Sequence, residues 1–157
     1  MSLLESVVIV QFAATSYLVG VIWVIQIVHY PMFNQLDPAC ASDACRRHAT
    51  RITPVVGIPM LLEAAAAAAL AWPGLFPIPD HARIVSWAGL ALLAGIWLST
   101  FALQVPQHDQ LAKQSGAIDS ATVARLVSTN WIRTVLWTLR LPIVSYTLFS
   151  IMHPSPV

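Results

Sequence analysis

Three histidines, one glutamate and two arginines carry the chemistry open to this sequence. His29, His48 and His108 each stand beside an apolar run, while Glu63 and Arg140 lie inside such runs. Neutral imidazole suits iron, copper and zinc. The three histidines and the Glu63 carboxylate therefore form a candidate transition-metal site, and any one of the histidines could equally serve as the proximal ligand of a haem. The spacing matches no metal signature: the sequence contains no His-Glu-x-x-His, Glu-x-x-His or Cys-x-x-Cys-His string. The ordinary alternative has the histidines at a membrane interface, bonded to backbone or headgroups. The depth of Glu63 in its run also weighs against its joining them.

Glu63 and Arg140 form the most informative pair. Each lies nine residues into its run, counted from Pro54 and from Trp131. At about 1.5 Å per residue, both reach roughly 13 Å into the bilayer. A lone charge at that depth is costly, so such residues pair or line a polar cavity. The two are expected to meet, either as an ion pair that fixes helix register or as a proton relay and substrate anchor. Asn130 and Arg133 flank the start of the last run on either side of Trp131. Arginine there is either an anchor reaching for headgroups or a guanidinium gripping an anionic or quinone-like oxygen. The catalytic candidates are thus Glu63, Arg140, Arg133 and Asn130. The cofactor candidates are His29, His48 and His108, for a transition metal or haem. Cys40 and Cys45 precede His48, but this gives only three ligands at a spacing unlike zinc sites, and free thiols are expected in a cytoplasmic loop.

Helices in lipid have to position these groups. Of 157 residues, 57% are hydrophobic and 10% charged, whereas soluble domains carry about 25% charged residues. The mean hydropathy is +0.71. A net charge of +1 leaves no basic patch for nucleic acid. Four apolar runs fall at about 6–28, 54–72, 84–105 and 131–151, each close to the roughly 20 residues that cross a hydrocarbon core. The expected fold is all-α: one integral membrane domain over 1–157, built as a four-transmembrane-helix bundle. An interfacial helix is expected at about 120–130, capped by Asp119 or Ser120. The first run lacks a basic leader and is too long for a signal peptide. Arg46, Arg47, Arg51, Lys113 and Arg125 fall in the first and third connections, and the middle one holds only Arg83. The positive-inside rule then puts the first and third connections in the cytoplasm of a bacterial-type inner membrane, with both termini outside. His29, His48 and His108 share the cytoplasmic side, while His81 and His153 belong to the other.

Span one ends Ile22-Trp23, followed by Pro31-Met32-Phe33-Asn34-Gln35-Leu36. Span three ends Ile96-Trp97, followed by Pro106-Gln107-His108-Asp109-Gln110-Leu111. Either the chain is two helical hairpins repeated in parallel about an axis along the membrane normal, or two apolar helix exits agree by chance. A site in a true repeat would lie between the halves.

Pro31 after the first span, Thr100 with Pro106 and Leu111 after the third, and Asn130-Trp131 with Arg133 before the fourth resemble the anthrone-oxygenase-like family of small four-helix membrane proteins. The resemblance covers the hairpin ends and carries over no histidine or Glu63. It implies a four-helix membrane fold and, in some members, oxygenation of polycyclic phenols. The residues and the resemblance together favour an oxidoreductase or oxygenase acting on an apolar substrate. The competing reading is a non-catalytic subunit or assembly factor of a larger membrane complex. A small transporter ranks last, because four helices enclose a path only in an oligomer. The expected partners are the lipid bilayer, other membrane subunits or further copies of the chain.

Overall fold

Ser2 starts the first helix with a capping box. Its hydroxyl accepts from the Glu5 N–H at 3.2 Å, and the Glu5 carboxylate accepts from the Ser2 N–H at 2.8 Å. In the computed structural model, which describes residues 1–114 and 119–153, this helix, α1, runs Leu3–Val24. It widens into a π-helical turn over Ile25–His29 and ends in a 3-10 turn over Pro31–Gln35. Helix α2 spans Ala41–Ala71 and α3 spans Asp80–Ser99. A second π-helical turn, Thr100–Gln104, leads from α3 into α4, Val105–Lys113. Helix α5 spans Ser120–Met152, with the Asp119 side chain accepting from the N–H groups of Ala121 and Thr122. The Thr122 hydroxyl and the Ala121 N–H hold the Asp119 carboxyl below its usual range.

The fold is an all-α bundle of four long helices, each long and apolar enough to cross a membrane, as in a multi-pass membrane protein. α1 packs on α2 and α5, and α3 packs on α2 and α5, which closes a four-helix ring. The apolar core is built on Leu18, Ile22, Met60, Leu93, Ile96 and Trp137. A second cluster, which includes Tyr30, Phe33, Cys45, Leu111 and Leu126, fills the end where the first and third connections lie.

The helices run longer than the apolar runs predict. α2 begins at Ala41 rather than near Pro54, so Cys45 and His48 lie on a helix and not in a loop. The helix expected at about 120–130 is the first part of α5, continuous with the last span. In both places the extra turns are rich in polar and charged residues, so hydropathy does not register them. Pro54, Pro59 and Pro142 lie inside helices, as membrane helices tolerate.

The two π-helical turns stand at the same place in each hairpin. Each ends two residues before a proline, Pro31 or Pro106. A proline ring crowds the carbonyl four residues back, here Ile27 or Ala102, and widening the turn around that carbonyl relieves the contact.

Small residues set how closely the helices approach. A Cβ added at Gly89 of α3 would meet Arg140 Nη1 at 3.0 Å and Ile143 Cγ2 at 3.1 Å on α5, whereas one added at Gly57 meets nothing within 4 Å. Gly89→Val is therefore expected to cost about 1–3 kcal/mol by overpacking, with Gly57→Ala as the near-neutral control. Thermal unfolding in detergent checks this, and equal melting of the two variants would contradict it.

Candidate functional site

The three histidines come from three separate elements. His29 closes the π-helical turn of α1, His48 lies seven residues into α2, and His108 lies on α4. The 31 residues of α2 extend about 46 Å against a hydrocarbon core of about 30 Å. His48 thus lies near one end of a helix longer than a hydrocarbon core is thick, and the other two imidazoles stand beside it. His29 Nε2 faces His48 Nδ1 at 2.8 Å, and Tyr30 Oη lies 3.0 Å from His108 Nε2. The ring centroids of His29 and His48 are 4.3 Å apart, and those of His48 and His108 are 5.4 Å apart. His48 Nε2 and His108 Nδ1 are buried with no hydrogen-bond partner. Among the described residues, no group of three or more His, Cys, Asp or Glu side chains is arranged so that it could hold a metal ion.

Two apolar spaces flank this cluster. One is a groove of about 520 Å³ between α1 and α2, running from Gly20 and Val24 to His29 and His48. The other is a cavity of about 270 Å³ between α2 and α3, lined by Val56, Gly57, Met60 and Phe101 and reaching Tyr30, Gln104, His108 and Arg133. Ile25 and Ile52 line both and separate them.

A polar layer behind the cavity ties α1 to α5. The Gln26 side-chain amide donates to the Val127 carbonyl at 3.1 Å, and Asn130 Nδ2 donates to Gln26 Oε1 at 2.8 Å. Arg133 Nη1 donates to Asn130 Oδ1 at 3.3 Å, and the guanidinium lies 5.1 Å over the Trp137 ring. Arg133 is only 5% exposed, so it does not reach for headgroups. The anchor is Trp131, 40% exposed and edge-on to Trp23 at 5.6 Å. Gln104 and Gln107 both donate to the Thr129 hydroxyl, at 3.0 and 3.2 Å.

Glu63 and Arg140 meet as the cost of buried charge predicts, but away from the histidines. The Glu63 carboxylate accepts from Arg140 Nε at 2.7 Å, Thr15 Oγ1 at 2.6 Å and Trp137 Nε1 at 3.2 Å. Arg140 also donates to the Gly89 carbonyl. Glu63 and His48 are fifteen residues apart on α2, about 22 Å along the helix, so the carboxylate cannot complete a set with the histidines. The two cysteines are free: Cys40 is exposed and Cys45 packs in the second apolar cluster. His81 packs edge-on to Tyr146 and His153 stacks on Phe149 at the far end of the bundle.

Sequence reasoning gives no role to Gln26, Tyr30, Gln104 or Thr129, and it meets Trp97 and Gln107 only as members of the possible repeat. A π-helical turn before a proline is the signal that points to Gln104, since such turns cluster at functional sites. Compared with known family models, curated proteins and solved structures, the chain matches none.

Proposed function

We propose that the protein is a membrane oxidoreductase of the oxygenase kind, in which a transition metal held by His29, His48 and His108 acts on an apolar substrate. The observation that carries this reading is the convergence of three imidazoles from α1, α2 and α4 between two apolar spaces. Imidazole suits redox-active iron and copper. The nitrogens of His29 and His48 stand 2.8 Å apart. His29, His48 and His108 would hold the ion, which would supply redox chemistry there, and the Tyr30 hydroxyl, 3.0 Å from His108 Nε2, would stand beside it as a proton donor.

In this reading Arg133 and Asn130 belong to the substrate side, and Glu63 with Arg140 holds the helices in register. The resemblance to the anthrone-oxygenase-like family points the same way. In this reading the histidines face the cytoplasm of a bacterial-type inner membrane with both termini outside, which the basic residues of the first and third connections support.

Elemental and optical analysis of detergent-purified protein, expressed with iron, copper and zinc supplied, tests the proposal. Stoichiometric metal is expected, lost together with His29, His48 or His108. Metal-free protein that folds normally would sink the metal-dependent reading and shift the weight to a metal-free site or to a non-catalytic subunit of a larger complex.

A further inference from the structure

Of the two arginines buried in α5, one is neutralised and the other is not. Arg140 has the Glu63 carboxylate. Arg133, 5% exposed, makes no ion pair among the described residues. Its hydrogen bond among them is the long one to Asn130 through Nη1. Nε is buried and has no partner, and the neutral Tyr30 hydroxyl beside the guanidinium in the same cavity supplies no charge to it. The guanidinium edge that carries Nε, the fork that fits a carboxylate with two parallel bonds, thus faces no anion of the protein. A cation held at the level of the membrane without an anion is costly, and this one lines a cavity.

The same cavity is lined by further unused polar groups. Trp97 Nε1, which can only donate, is buried with no partner, and so are His108 Nδ1 and the acceptor Gln104 Oε1. His108 can present a donor by choice of tautomer, whereas the Gln104 amide nitrogen is held by the Thr129 hydroxyl, so its oxygen faces the cavity as an acceptor. Apart from the hydroxyls of Tyr30, Thr53 and Thr100, the rest of the lining is apolar, and Phe101 and Val105 are exposed at the surface. The cavity thus offers one positive charge with the Trp97 and His108 donors beside it, against mostly hydrocarbon walls.

We infer that this cavity binds an apolar monocarboxylic acid, with its carboxylate on the free edge of Arg133 and its apolar body between α2 and α3 toward lipid. Trp97 donates to the carboxylate from the α3 side. His108 lines the same cavity and belongs to the imidazole cluster, so the acid is held beside that cluster. The inference names the substrate class for the function proposed above, and it rests on that reading only in calling the bound acid a substrate.

The test is direct binding to the full chain in neutral detergent, with and without prior chelation. Quenching of tryptophan fluorescence is the readout, and the probes are 2-naphthoic acid, its methyl ester and 1,4-naphthoquinone. The acid is expected to bind at least about tenfold more tightly than the ester, since a charge-assisted bidentate contact replaces a neutral one. Arg133→Gln should abolish the preference for acid while leaving ester binding unchanged. Gly57→Leu, which adds its side chain where an added Cβ meets nothing within 4 Å, should weaken acid and ester alike without touching the arginine. Equal binding of acid and ester, tighter binding of the quinone, a preference that survives Arg133→Gln, or no binding of the acid would each overturn the inference. The two proposals fail separately. Metal without acid binding removes this one, and acid binding to a protein that never holds metal removes only the metal-dependent reading.

Discussion

Glu63→Ala should unfold this protein more readily than any substitution at the histidines, with a loss of about 3–5 kcal/mol, the usual result of removing one partner from a buried ion pair. The carboxylate is fully buried and has three donors aimed at it, from Thr15, Trp137 and Arg140. Without it, the Arg140 guanidinium keeps only the Gly89 carbonyl, and Arg140 Nη2 already lacks a partner. The cost therefore comes mainly from the stranded cation rather than from lost attraction. Removing both charges should recover much of it, because apolar replacement of a whole buried pair is often neutral. Thermal unfolding of Glu63→Leu, Arg140→Met and the double variant measures the coupling. Purely additive losses would show that the pair does not act as a unit.

His48→Ala should show the opposite profile. The side chain is half-buried, and its one hydrogen bond among the described residues runs to His29, so stability should fall by only about 0.5–1.5 kcal/mol. Metal affinity should fall by more than about 100-fold, since groups that only support a ligand already account for about 10–100-fold. Metal content and melting temperature, measured on the same preparation, separate the effects. A variant that keeps its metal, or one that melts as early as Glu63→Ala, would count against His48 as a ligand. Together the two substitutions divide the buried polar residues into those that hold the bundle and those that serve the site.

The sequence shows the four crossings because lipid imposes a minimum apolar length on each of them. It shows the meeting of Glu63 and Arg140 because unpaired charge is costly at that depth. It hides what lies past the hydrocarbon. The helical turns of Ala41–Thr53 and Ser120–Asn130 obey no lipid constraint, so His48 reads as a loop residue although α2 carries it. The contact of Tyr30 with His108 joins residues 78 positions apart, and it depends on two π-helical turns that leave no mark in hydropathy. Glu63 reads as a metal ligand by residue type, and its distance along α2 from His48 rules that out.

The ion pair also bears on how the chain enters the membrane. Helix α5 is the least apolar of the four and carries both buried arginines, each of which opposes insertion at the helix centre by about 2.5–3.5 kcal/mol. Synthesis runs from the N-terminus, so α2 is already embedded when α5 emerges, with Glu63 waiting 77 residues upstream of Arg140. The last helix is thus the electrostatic counterpart of an earlier one, whose carboxylate neutralises Arg140 in the finished bundle.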